Sequence, residues 1–225
     1  MPDRIIRQTC NGSDPMTTYL TADPHFGHGK MISTGARPFG SVDEMNRVLI
    51  ENWNKVVNDK DVVWVIGDFA FNMTEREVAE VFYALKGRLR LVLGNHDYDN
   101  SGEVKPAVAR LPWERIVARA EIKHAGQRII LDHYAGMVWS ADHHGSYLAY
   151  GHSHGRLPGL PGSIDVGMDS QNYRPISVDE FVRQADESVR NHQQVLDAAI
   201  RNLKGRSPFY EERARAIREM RPLRK

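Results

Sequence analysis

Five times along this chain an apolar, β-prone run breaks off into aspartate, asparagine or histidine. The first run, "TTYLTADPH", ends in Asp23-Pro24-His25, and "DVVWVIGD" ends in Gly67-Asp68. "RLRLVLGNHD" ends in Gly94-Asn95-His96-Asp97, "QRIILDH" in Asp132-His133, and "SYLAYGHSH" in Gly151-His152-Ser153-His154. Strand-like runs that alternate with helix-like ones predict a layered α/β sheet, and ligands of such sheets bind outside the carboxyl ends of strands. The five polar endings are therefore expected on one rim.

Between the runs the periodicity changes. "SVDEMNRVLIENWNKVV" and "TEREVAEVFYAL" carry apolar residues at helical spacing, and Ser41/Glu44 and Thr74/Glu77 have the spacing of capping boxes. The second half is richer in strands: "ERIVARAEIK" and "QRIILDHY" flank "HAGQ" as a hairpin, and "SIDVGMD" is a further strand. A long helix opens at "SVDEFVRQADESVRNHQQVLDAAIRNLK", with Ser177 and Glu180 as its box, and "FYEERARAIREM" makes a last short one. The expected organisation is a loose tail over 1–15, a main α/β domain over 16–183 and a basic helical extension over 184–225. From Arg201 onward nine Lys or Arg face three Asp or Glu, a net +6, which leaves the remainder at −5. A basic run of this kind reads first as a solvated face and second as a nucleic-acid contact. The apolar stripe Val182, Ala185, Val189, Val195, Leu196, Ala199 and Leu203 predicts a helix that packs across the domain or pairs two subunits into a homodimer.

One cysteine, Cys10, excludes a disulfide framework and makes a thiolate metal site improbable, which fits a cytoplasmic protein. No apolar run has the length of a signal peptide's core or of a membrane span, so no membrane partner is expected.

The polar endings are the material of a metal site. Imidazole and carboxylate together suit manganese, iron, zinc, cobalt or nickel rather than calcium. Residues two apart on a strand share a face, so Asp23 and His25 can reach one centre, and His152 and His154 can hand one imidazole to each of two neighbouring ions. Each ending alone reads as an ordinary turn or a core histidine. Five in succession, each after an apolar strand, do not.

The ordered set D-x-H, G-D, G-N-H-D, a lone H and G-H-x-H resembles the calcineurin-like metallophosphoesterase superfamily. "DPHFGHGKMI", "RPFGSVDEMN", "LDHYAGMVW" and "VGMDSQNYRPIS" resemble a small bacterial and phage-type group within it. The resemblance implies a four-layer α-β-β-α sandwich of two mixed sheets, with the metals at one rim and a C-terminal helical extension. It implies that Asp23, His25 and His154 hold one divalent ion, that Asn95, His133 and His152 hold the other, and that Asp68 bridges them. His96 matches the catalytic histidine. The implied activity is hydrolysis of phosphate esters, phosphodiesters first, by a metal-bridging hydroxide, with manganese ahead of iron, zinc, nickel or cobalt. A small phosphoester is the expected partner. The alternatives are a nuclease, which the absence of an aromatic, basic groove disfavours, and a non-catalytic scaffold, which the complete ligand set disfavours.

The chain departs from the pattern in one place. Phosphoprotein phosphatases of the superfamily carry an acidic residue and an arginine after Gly-Asp, whereas this chain reads "GDFAFN". The carboxylate partner of the catalytic histidine is missing there, and adjacent Asp97 is the open candidate for it. His28 and Arg37 are expected at the substrate, Asn172 and Arg174 near the rim, and His124, His143, His144 and His192 in solvent. Trp53 and Trp64 are expected in the core.

Overall fold

The computed structural model describes residues 16–34 and 36–203. The expected N-terminal tail, the last short helix and most of the basic run lie outside the described residues.

The strands are β1 (Thr18–Thr21), β2 (Val62–Ile66), β3 (Arg88–Val92), β4 (Arg115–Val117), β5 (Ala120–His124), β6 (Gln127–Leu131), β7 (Tyr147–Tyr150), β8 (Ser163–Asp165) and β9 (Ile176–Ser177). They form two mixed sheets. The first runs β4-β3-β2-β1-β9, parallel except for β9, and the second runs β5-β6-β7-β8, with β5 and β6 antiparallel and the rest parallel. The helices are α1 (Lys30–Ser33), α2 (Val42–Val56), α3 (Glu75–Ala84), α4 (Pro106–Ala109) and α5 (Val178–Leu203).

The unbroken apolar run of β2 is explained by burial on both faces. Val63 and Val65 pack with Leu49 and Trp53 of α2 and Val78 and Phe82 of α3. Val62, Trp64 and Ile66 point the other way and meet Ile129 and Leu131 of β6 and Tyr147 and Ala149 of β7 between the sheets. Trp53 and Trp64 are both core residues. The sandwich of two mixed sheets with helices is the expected fold.

Several details differ from the sequence-based expectation. "ERIVARAEIK" is two strands, because β4 pairs with β3 in the first sheet while β5 turns into the second. The hairpin after β5 turns on Ala125 and Gly126, both at positive φ (47° and 85°), as a tight hairpin requires. Of the three capping boxes only that of α3 is complete. Ser41 accepts the N–H of Glu44, but the Glu44 carboxylate takes the N–H of Gly40. Ser177 accepts the N–H of Glu180, whose carboxylate instead holds Arg174 at 2.9 Å.

α5 runs without a break across the boundary expected at 183/184. Its first half seals the core between the sheets, with Phe181 and Ala185 buried and Val182 and Val189 packed beside them. The Tyr147 hydroxyl donates to Asp186 and ties the helix to β7. Val195, farther along the same stripe, is 66% exposed.

Candidate metal centre

The carboxyl ends of β1, β2, β3, β6 and β7 converge as the five endings predict. Asp23, His25 and His154 form one cluster and Asp68, His133 and His152 a second, with the ligand-capable atoms of each within 4.8 Å of one another. His152 and His154 thus divide between two clusters. Asp68 Oδ2 lies 3.5 Å from His25 Nε2 in one and 3.5 Å from His133 Nε2 in the other. Asn95 Oδ1 adds a neutral oxygen 3.2 Å from His133 Nε2.

The route by which these side chains meet is not the expected one. Strand alternation does not operate, because β1 stops at Thr21 and β7 at Tyr150. Asp23, His25, Asp68, His152 and His154 all sit in left-handed backbone, with φ of 52°, 50°, 58°, 62° and 49°. Cross-links between the loops hold these turns. The N–H groups of Asp23 and His25 donate to the carbonyls of Gly67 and Asp68, each at 3.1 Å, and the His152 N–H donates to Asp23 Oδ2 at 2.7 Å.

Three glycines make room for the side chains. A Cβ on Gly67 would lie 2.3 Å from His133 Nδ1, one on Gly94 2.3 Å from Asp68 Oδ1, and one on Gly151 2.5 Å from Asp23 Oδ2. The space that a side chain would fill on each of three strand ends is occupied by a candidate ligand from a neighbouring one.

Hydrogen bonds also fix which face of each ring is offered. His133 Nδ1 meets the Ile66 carbonyl at 2.9 Å, His154 Nδ1 meets Asp169 Oδ2 at 2.7 Å, and His25 Nδ1 meets His28 Nδ1 at 3.2 Å. In each case Nε2 is the atom left to face the centre. His25 Nε2 and Asp23 Oδ1 are buried without a hydrogen-bond partner among the described residues. Burial, reinforced by the Asp68 charge, pushes the Asp23 carboxyl well above the usual carboxylate range. Burial, and then the surrounding histidines and Arg37, lower the His25 imidazole to about 2. Two buried carboxyl groups, Asp23 and Asp68, thus stand within 4 Å of the orphaned His25 Nε2, and Asp23 Oδ1 has no hydrogen-bond donor of its own. A divalent cation would partner both orphaned atoms, and O and N donors of this kind suit a first-row transition metal. The residues present therefore fit a metal centre.

His96 stands at the edge of the clusters. Its backbone N–H donates to Asp68 Oδ1 at 2.8 Å, and its ring packs 5.4 Å from His25 and 4.8 Å from Phe71, centroid to centroid. Asp97 is not its carboxylate partner. The Asp97 side chain is buried and accepts the N–H groups of Asp68, Phe69 and Gly94 at 2.8–3.1 Å. Burial raises this carboxyl to about 6 against the pull of those bonds. Lys105 Nζ donates to the His96 carbonyl at 2.6 Å.

His28 lies within this group, its ring 4.2 Å from Phe71 and 5.8 Å from His96. Arg37, expected at the substrate, is instead turned into the protein. It is 1% exposed, and its guanidinium is committed to Asp169, at 2.8 and 2.9 Å, and to the carbonyls of Pro24 and Asp23, each at 2.7 Å. Arg174 is held by Glu180, and His124 is paired with Asp179 at 2.6 Å rather than free in solvent. His143, His144 and His192 are exposed.

Asp169 was not expected at the site. Burial pushes its carboxyl up, but the hydrogen bonds from His154 and Arg37 outweigh burial and hold it below the usual range. Its only signal was a lone aspartate in "VGMDSQ", a stretch that carried family likeness without a role for this residue.

Residues 16–156 match the family model of calcineurin-like phosphoesterases. An uncharacterized protein of Methanocaldococcus jannaschii is 34% identical over 173 residues, covering 73% of this chain and 89% of that protein. The gene 66 protein of Mycobacterium phage D29 is 29% identical over 177 residues, covering 68% of this chain and 87% of the phage protein. Among solved structures, a protein of unknown function from Aquifex aeolicus superposes with a TM-score of 0.61 at 25% identity, over 76% of this chain and 100% of that one. All seven expected ligands and His96 lie inside the matched residues, and Asp169 lies beyond them.

Proposed function

The chain belongs to the calcineurin-like phosphoesterase family, and from that membership we propose that it is a dinuclear metal-dependent hydrolase that prefers phosphodiesters. One observation supports the reading most directly: a single oxygen of Asp68 stands 3.5 Å from an imidazole of each cluster, the place of a bridging ligand. Asp23, His25 and His154 would hold one ion and Asn95, His133 and His152 the other, manganese ahead of iron, zinc, nickel or cobalt. When bound, such a pair supplies Lewis-acid polarisation of the ester and a water acidified toward neutral pH as nucleophile.

The chain's own groups orient and exchange protons around it. His96, anchored through its backbone to Asp68, would present its ring to the phosphoryl oxygens and act as general acid toward the leaving oxygen. One proton between the Nδ1 atoms of His28 and His25 would fix the His25 ring with Nε2 toward the ion. Phe71 packs against His28 and His96 and shields that side of the centre from water. The preference for diesters follows from charge. A monoester dianion needs a cationic grip beyond the ions, and Arg37 is fully engaged elsewhere. A singly charged diester needs less. Small phosphoesters are the proposed substrates, and no helix among the described residues is long and apolar enough to cross a membrane.

The test is hydrolysis of bis-p-nitrophenyl phosphate and of p-nitrophenyl phosphate by metal-stripped protein, with and without Mn²⁺. Turnover that appears with Mn²⁺ and favours the diester is expected. Folded, metal-loaded protein that cleaves neither compound with Mn²⁺, Ni²⁺, Co²⁺ or Zn²⁺ would overturn the proposal.

A further inference from the structure

The two clusters are held unequally. In the second, His133 Nδ1 meets a neutral backbone carbonyl, and His152 is exposed and rests on the rings of Tyr134 and His133 at 4.8 and 5.1 Å. In the first, a chain of charged hydrogen bonds reaches the ligands from behind. The carboxylate of Asp169, with its side chain 11% exposed, takes the Arg37 fork on both oxygens and also takes His154 Nδ1 at 2.7 Å. The same guanidinium donates to the carbonyls of Asp23 and Pro24, each at 2.7 Å. One buried arginine therefore links the turn that carries Asp23 and His25, after a strand of the first sheet, to the histidine that follows β7 of the second.

We propose that Arg37 and Asp169 form a positioning clamp for the first cluster and make it the tighter of the two ion sites. The proposal rests on the two-ion reading above. Three physical arguments carry it. A bidentate arginine–carboxylate pair fixes two segments in angle as well as in distance. A buried ion pair is stable only when its remaining donors are satisfied, and here the donors are spent on the backbone of the ligand turn, so it cannot shift without exposing an unpaired charge. A carboxylate behind an imidazole fixes its tautomer and raises its basicity toward a metal, more than a carbonyl does. Neither residue touches substrate; both act through Asp23, His25 and His154.

The experiment is a Mn²⁺ titration of metal-stripped full-length protein, followed by the electron paramagnetic resonance signal of free Mn²⁺, for wild type and Asp169→Asn. The amide keeps the shape of the carboxylate and removes its charge. Wild type is expected to bind two ions, one tighter than the other. In Asp169→Asn the tight ion should weaken by about 10–100-fold while the weak one stays as it was. Arg37→Lys, which keeps the charge and removes the fork, should move the same ion in the same direction, and it serves as the test if Asp169→Asn does not fold. Unchanged affinity for both ions, or equal weakening of both, would overturn the clamp. Wild type that binds fewer than two ions would instead overturn the two-ion reading, so the two failures are distinct.

Discussion

His96 and Asp97 are neighbours in the chain and face opposite ways: the His96 ring lies against His25 and Phe71, while the Asp97 carboxylate turns inward to the backbone N–H groups of Asp68, Phe69 and Gly94. The ring lies at the edge of the two clusters, and the carboxylate holds together two of the loops that make them.

The ring makes the first prediction. His96→Ala should lower diester hydrolysis by about 10²–10⁴-fold, the usual worth of a positioned proton donor. Bound Mn²⁺ per chain should stay at the wild-type value, because His96 is placed beside the ligands and not among them. Loss of only a few-fold in kcat would remove His96 from the chemistry.

The carboxylate makes the second. Asp97→Ala would leave three buried N–H groups without an acceptor, and each such group costs roughly 1–3 kcal/mol. A loss of stability on the order of 3–5 kcal/mol is expected in urea unfolding. A change below about 1 kcal/mol would mean that the loops after β2 and β3 hold themselves.

Gly94 is a steric test of the centre. Its φ of −101° suits any residue, yet an added Cβ would stand 2.3 Å from Asp68 Oδ1 and 2.8 Å from His133 Cε1. Gly94→Ala should therefore drive apart the two side chains and reduce retained Mn²⁺, at a stability cost of roughly 1–3 kcal/mol from overpacking. Dialysis followed by metal analysis would check this, and a variant that retains the wild-type complement would show that the loop has slack.

The seal formed by α5 predicts a large effect far from the chemistry. Phe181 is fully buried between the sheets, and Phe181→Ala should cost about 3–5 kcal/mol. Val195→Ala, on the exposed part of the same stripe, should change stability by less than about 0.5 kcal/mol. Comparable losses in thermal unfolding would show that the far end of the helix is covered in solution, as subunit pairing requires.

The rim was legible in the sequence because each block marks the end of an apolar strand, and parallel strands must end together. What remained illegible depends on contacts that no local pattern encodes. Arg37 meets Asp169 across 132 residues, and nothing near either residue announces a partner. The split of "ERIVARAEIK" depends on which sheet edge receives each half. The capping spacings at Ser41 and Ser177 were correct, but the glutamates found other partners in Gly40 and Arg174. The D-x-H and H-x-H spacings were read as strand geometry, which the turns do not have: left-handed backbone at Asp23, His25, His152 and His154 sets where those side chains point.

Five of the seven candidate ligands occupy backbone that L-residues adopt reluctantly. For the exposed His152 this sets durability against chemistry. A glycine there would relax the turn and delete an imidazole in one step, so selecting variants for heat resistance alone would drift toward sturdier proteins with a blunted centre. The cost of each awkward turn is borne by the whole sandwich, and its packed interior is what allows the rim to be built from residues poorly suited to their own backbone.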